Sequence, residues 1–161
     1  MKAKKLWLSA IIIGAVAILG TVMVAQFGAR AVPGDGQHLE GTWVVSATVT
    51  GDPTVIRALI TFSRNGEVIE TPSTSVGIST GHGAWARTGN REFAITVVYL
   101  RRDEADLFNG TSKVRSVFKI DETLDAGAAR FETEVFDVDG NLLETFNGTA
   151  KAKRIQVEPL E

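Results

Sequence analysis

Thr111–Asp121, TSKVRSVFKID, and Ala129–Val138, ARFETEVFDV, decide the fold. Both alternate with a period of two, which is the pleat of a β-strand with one buried face. In the first stretch Val114, Ser116, Phe118 and Ile120 share a face, and Lys113, Arg115 and Lys119 share the other. In the second, Phe131, Thr133 and Val135 oppose Arg130, Glu132 and Glu134. A basic outer stripe beside an acidic one predicts cross-strand ion pairs on a solvated surface.

The same reading extends outward from these two strands. Gly41–Thr50 is rich in β-branched residues and is broken by Gly51-Asp52-Pro53. Arg57–Ser63 alternates, and Arg64-Asn65-Gly66 is a hairpin turn leading to Glu67–Thr71. Pro72–Gly83 is a polar connection. Ala84–Thr88 is a short strand, and Glu92–Arg101 is a long one. Asp139-Gly140-Asn141 is a further tight turn, and Leu142–Ile155 is the last strand. About eight strands in series, short turns and no mature helix predict an all-β domain. One inner face with nothing to cover it closes most simply into a single antiparallel up-and-down barrel.

The inner set mixes bulk with small residues. Trp43, Val45, Ala47, Phe62, Phe118, Phe131 and Phe146 stand beside Ser116, Thr133, Gly148, Ala150 and Ala152. Such a barrel is either packed solid or hollow enough for one small ligand, and the small residues favour a cavity.

The chain begins with a targeting pattern. Lys2, Lys4 and Lys5 precede an uncharged apolar run from Leu6 to Ala25, followed by Ala29-Arg30-Ala31. A signal peptide cut after Ala31 is the expectation, and a retained membrane anchor spanning residues 6–25 is the alternative. Either reading exports the domain, to the periplasm or beyond. Residues 1–31 are then signal or anchor, 32–40 a flexible lead-in, and 41–161 the barrel.

Composition excludes several functions. With no cysteine there are no disulfides, thiolate metal sites or cysteine nucleophile. Two histidines rule out a three-histidine metal site, and no metal or cofactor is expected. A net charge of −2 gives no broad field for nucleic acid, and the membrane is expected to matter only through the N-terminal segment. Asp137-Val138-Asp139-Gly140-Asn141 has calcium-loop character, but the same letters suit a hairpin turn. No hydrolase, nucleotide-binding or zincin motif is present.

Gly41-Thr42-Trp43 resembles the G-x-W opening of lipocalins and other calycins. Those families pair this tryptophan with an arginine on or just after the last strand, and Arg154 occupies a matching place with matching parity. The resemblance implies structural roles for Trp43 and Arg154 near the closed end of the barrel. Lipocalins usually add a helix before the last strand and often disulfides, which this chain does not show. Gly81–Gly89, GHGAWARTG, resembles a family of small exported bacterial proteins of undefined role.

Three functions follow as expectations. The first is an exported barrel holding a small, largely apolar molecule against Phe62, Trp85, Tyr99, Phe118, Phe131 and Phe146. The second, implied by the calycin resemblance, is an isomerase or cyclase like allene oxide cyclase, with His82, Glu70, Tyr99 and Ser116 as candidate catalytic groups. The third is a solid-core envelope interaction protein. His82 lies between two glycines that allow close approach of a ligand; if its strand starts that early, it faces away from Trp85 and Arg87. Tyr99 is the only tyrosine, on a strand whose two faces are both apolar, so parity leaves its direction open. The ligand's identity and the oligomeric state are not legible at this level.

Overall fold

The computed structural model describes residues 39–73 and 77–160. The leader and most of the lead-in lie outside them. Eight strands follow one another: β1 (Gly41–Val49), β2 (Val55–Phe62), β3 (Glu67–Pro72), β4 (Gly81–Gly89), β5 (Glu92–Arg102), β6 (Phe108–Ile120), β7 (Ala126–Phe136) and β8 (Leu142–Arg154). Each pairs antiparallel with the next, and β8 returns to β1, closing the barrel. No helix occurs among the described residues.

The turns obey the sequence chemistry. In the β2–β3 turn the Gly66 N–H donates to Ser63 O at 3.1 Å, with Gly66 at φ +89°. In the β7–β8 turn Asp137 Oδ1 accepts from the N–H groups of Asp139 (2.9 Å) and Asn141 (2.8 Å), and Asn141 Nδ2 donates to Oδ2. Those hydrogen bonds to Asn141 hold the Asp137 carboxyl below its usual range. The calcium-like letters are thus committed to a turn, and no metal-holding cluster appears among the described residues.

Three strands begin three residues earlier than the sequence suggests. β4 begins at Gly81 instead of Ala84, β6 at Phe108 instead of Thr111, and β7 at Ala126 instead of Ala129. Glycine and asparagine disfavour strands, so propensity pointed to loops there. Packing reverses the preference. A Cβ at Gly81 or at Gly127 would sit 2.5 Å from the ring of Tyr99 or Phe118, and one at Gly148 would collide with Phe131. Each glycine leaves room for an aromatic side chain to fold across the inner wall.

The outer face carries the expected ion pairs. Lys113 Nζ lies 2.6 Å from Glu134, and Arg115 bonds Glu132 and, at 3.1 Å, Glu134. These exposed contacts help fix the β6–β7 register more than they stabilise the fold.

One end of the barrel is plugged. Trp43 and Phe93 are wholly buried, Trp43 meets Phe118 edge-on at 5.4 Å, and Trp85 meets Phe93 at 5.7 Å. The Arg154 guanidinium lies 4.3 Å from the Trp43 ring centroid, directly across the β1–β8 seam. Arg154 Nε donates to Leu124 O at 3.0 Å, and Nη1 donates to Glu40 O. The Trp43 indole N–H donates to Leu39 O at 3.0 Å. Gly41 has φ +112°, and a Cβ there would lie 3.1 Å from the guanidinium. The G-x-W spelling therefore has a local reason: the glycine clears space for the arginine that covers the tryptophan.

Arg154→Ala is expected to destabilise the barrel by about 2 kcal/mol or more, because a partly buried cation–π contact and carbonyl hydrogen bonds vanish together. Arg154→Lys should recover less than half, since an ammonium cannot reproduce the fork. Urea midpoints at unchanged slope measure both; equal stability of all three proteins would refute the clamp.

Candidate ligand chamber

Inward parity along seven of the eight strands, all but β4, converges on one chamber. Odd residues of β1 point in, so Val45, Ala47 and Val49 line it above Trp43. On β2 the set is Ile56, Ile60 and Phe62, and on β5 it is Ile95 and Tyr99. Its volume is about 290 Å³, at the lower edge of small-ligand sites, roughly 300–1,000 Å³. Phe62 and Phe118, whose rings stack at 6.5 Å, form its floor over the plug. Val49, Pro72 and Ile78 stand at the opposite rim.

The room has a compositional source. Ala47 pairs with Ala150, and Ala150 pairs with Ala129, so three alanines run in register across β1, β8 and β7. All three line the chamber. Larger side chains there would fill it.

The expected contacts divide in two. Phe62, Tyr99, Phe118, Phe131 and Phe146 lie in the chamber wall. Trp85 does not. Its indole N–H donates to Ser63 O at 3.0 Å, and its ring packs against Phe62 and Phe93, which holds it in the plug below.

The four polar candidates also separate. Because β4 starts at Gly81, His82 takes an outward position, exposed and paired with Ile69 and Val98. The expectation that it reaches the chamber is corrected: period-two geometry turns Gly81 and Gly83 inward instead. Glu70, Tyr99 and Ser116 all line the chamber. Tyr99 is 5% exposed and points in with Phe93, Ile95 and Val97. Its ring crosses Gly81, the residue paired with Glu70, which brings the hydroxyl beside the Glu70 carboxyl. Ser116 pairs with Ile95 and Phe131 and makes no hydrogen bond to either of the other two.

Burial raises the Glu70 carboxyl above its ordinary value of 4.5, with the Tyr99 hydrogen bond opposing only in part. Burial and the neighbouring carboxylate push the Tyr99 phenol upward as well, so it stays protonated. The pair is an acid biased towards its neutral form inside an apolar wall. That arrangement can donate a hydrogen bond or a proton, or pair with a cation that enters.

Ser112, Thr133 and Ile78 complete the wall, and none was singled out as a contact from sequence. Ser112 and Thr133 share the inward parity of Val114 and Phe131, which is a usable signal. Ile78 carried none, because it sits in a polar connection. A single bridge to Arg101 and the Ser79 N–H bond to Leu100 O (2.9 Å) lay it along β5.

No protein-family model, no curated protein and no solved structure matches this chain.

Glu70 makes stability pH-dependent in a defined direction. In the unfolded chain it ionises near 4.5, while the folded barrel keeps its proton to higher pH. Between those values unfolding releases a proton, so this group costs stability as pH rises and levels off above the native value. Glu70→Gln does not titrate and still accepts the Tyr99 hydroxyl. The melting temperature of the variant minus that of wild type should widen by several degrees from pH 4 towards neutrality. A flat difference would remove the buried acid.

Proposed function

We propose that this protein binds a small, largely apolar molecule within the barrel. The chamber supports this reading: about 290 Å³, walled mainly by aliphatic and aromatic side chains, above an aromatic plug. Burying apolar ligand surface contributes roughly 25 cal/mol per Å² before ordering costs, so a ligand filling this space binds without many polar contacts. The hollow interior favours this over a solid-core interaction protein. The basic and apolar segment Lys2–Ala25 supports a site of action outside the cytoplasm, with membrane contact through that segment alone. The closed end, with Arg154 over Trp43, supports a calycin-like barrel.

The Glu70–Tyr99 pair favours a second reading, an isomerase or cyclase in the manner of allene oxide cyclase. There the chamber would fold a flexible substrate and the buried acid would supply one proton-transfer group. A ligand recovered unchanged after incubation supports the carrier, and one recovered as an isomer supports the enzyme.

A neutral fluorescent apolar dye, N-phenyl-naphthylamine, titrated into the purified full chain tests the proposal. Wild type should bind it. Ala150→Leu and Ser116→Phe, which place bulk in the chamber, should weaken binding tenfold or more while each variant still melts cooperatively. Equal binding by all three, or none by wild type, would reject a chamber ligand.

A further inference from the structure

We propose that the natural ligand is an apolar molecule with one amine head, whose ammonium seats against Glu70. The inference rests on the ligand-binding reading above and adds the chemistry of the head group.

It starts from the charges in the wall. Twenty-one residues line the chamber; one is a carboxylic acid and none is lysine, arginine or histidine. The other polar side chains are the hydroxyls of Tyr99, Ser112, Ser116 and Thr133. The barrel's cations stand outside the lining, the nearest being Arg101, which follows Tyr99 on β5 and bridges to Ile78 at the rim. Arg57, Lys113 and Lys151 occupy outward positions, His82 is outside, and Arg154 is in the plug. The chamber is therefore neutral or negative, never positive.

Beside Glu70 stands the Tyr99 hydroxyl, and no lysine, arginine or histidine lines the wall to face it. One hydroxyl does not replace the water that a carboxylate loses on burial. Burial accordingly biases the acid towards its neutral form while no cation faces it. Three kinds of ligand head can be ranked against this wall. A carboxylate would set like charge beside like, or would have to take up a proton first. An alcohol would gain one hydrogen bond. An ammonium would supply the counter-ion that the wall lacks, in a low-dielectric setting where a charge-assisted hydrogen bond is strong.

The placement also orients the molecule. Glu70 lies on β3, and β7 stands opposite it in the closed ring of eight. With the head at Glu70, the tail runs towards Phe131 and Phe146 on the far wall. The one ionisable acid of the lining stands on β3 alone, so the chamber takes a charged head in one direction.

Competition decides it. N-phenyl-naphthylamine bound to the full chain at neutral pH is displaced with octylamine, octanol or octanoate, which share a tail and differ in the head. On wild type, octylamine should displace the dye at concentrations at least tenfold below octanol, and octanoate should be weakest. Glu70→Gln should bring octylamine to the level of octanol. The ranking is read on wild type, so it holds whether or not the variant folds. Octanoate equal to or better than octylamine, or an unchanged ranking in Glu70→Gln, overturns the inference. Dye binding without a head-group preference overturns this inference alone, whereas failure of the dye to bind overturns the chamber ligand with it.

Discussion

The β1–β8 seam is the constraint on which the rest depends. Seven of the eight strand pairings join neighbours in sequence, and short turns make them local. The eighth joins Gly41–Val49 to Leu142–Arg154 across most of the domain, and without it two strand edges would be left unpaired. Arg154 over Trp43 sits on that seam and bonds carbonyls from the lead-in and the β6–β7 turn. Closure, plug and register thus share one side chain. The chamber exists because closure turns every inward face towards the same axis.

Function divides along that axis. Below, rings meet edge-on and leave no room, and hydrogen bonds from Trp43 and Trp85 to main-chain carbonyls hold the plug in place. Above, alanines in register on β1, β8 and β7 leave space, and the one acid in the wall gives it polarity. A rigid floor under an accommodating room is suited to holding a molecule without reshaping the fold.

Much of this was legible in the residues. Period-two alternation in Thr111–Asp121 and Ala129–Val138 carried the inner and outer faces and the Lys113–Glu134 pairing. Five of the six aromatics named from the sequence line the chamber, because parity places them on the inner face. What failed depended on information that parity lacks. Trp85 has inward parity too, but height along the axis decides between plug and chamber, and height follows from strand stagger. His82 looked like a site residue because glycines flank it. Those glycines serve packing, and the strand they belong to turns the imidazole outward. Glu70 gave no signal of burial, since a glutamate at a strand end is ordinarily solvated; the Tyr99 ring reaches its side only by folding across Gly81 on the intervening β4.

The glycine–aromatic contacts carry a consequence for how such a barrel can change its capacity. Tyr99, Phe118 and Phe131 all line the chamber, and each folds over a glycine: Gly81, Gly127 and Gly148. The dimensions of the room are therefore set partly by residues that have no side chain. A methyl added at Gly81 would meet only side chains and would tip the Tyr99 ring off the wall and into the lumen, whereas at Gly127 or Gly148 it would also meet the main-chain oxygen of Lys119 or Thr48 and strain the strand pairing itself. Capacity can drift in this architecture through single-letter changes at positions that contribute no contact surface of their own.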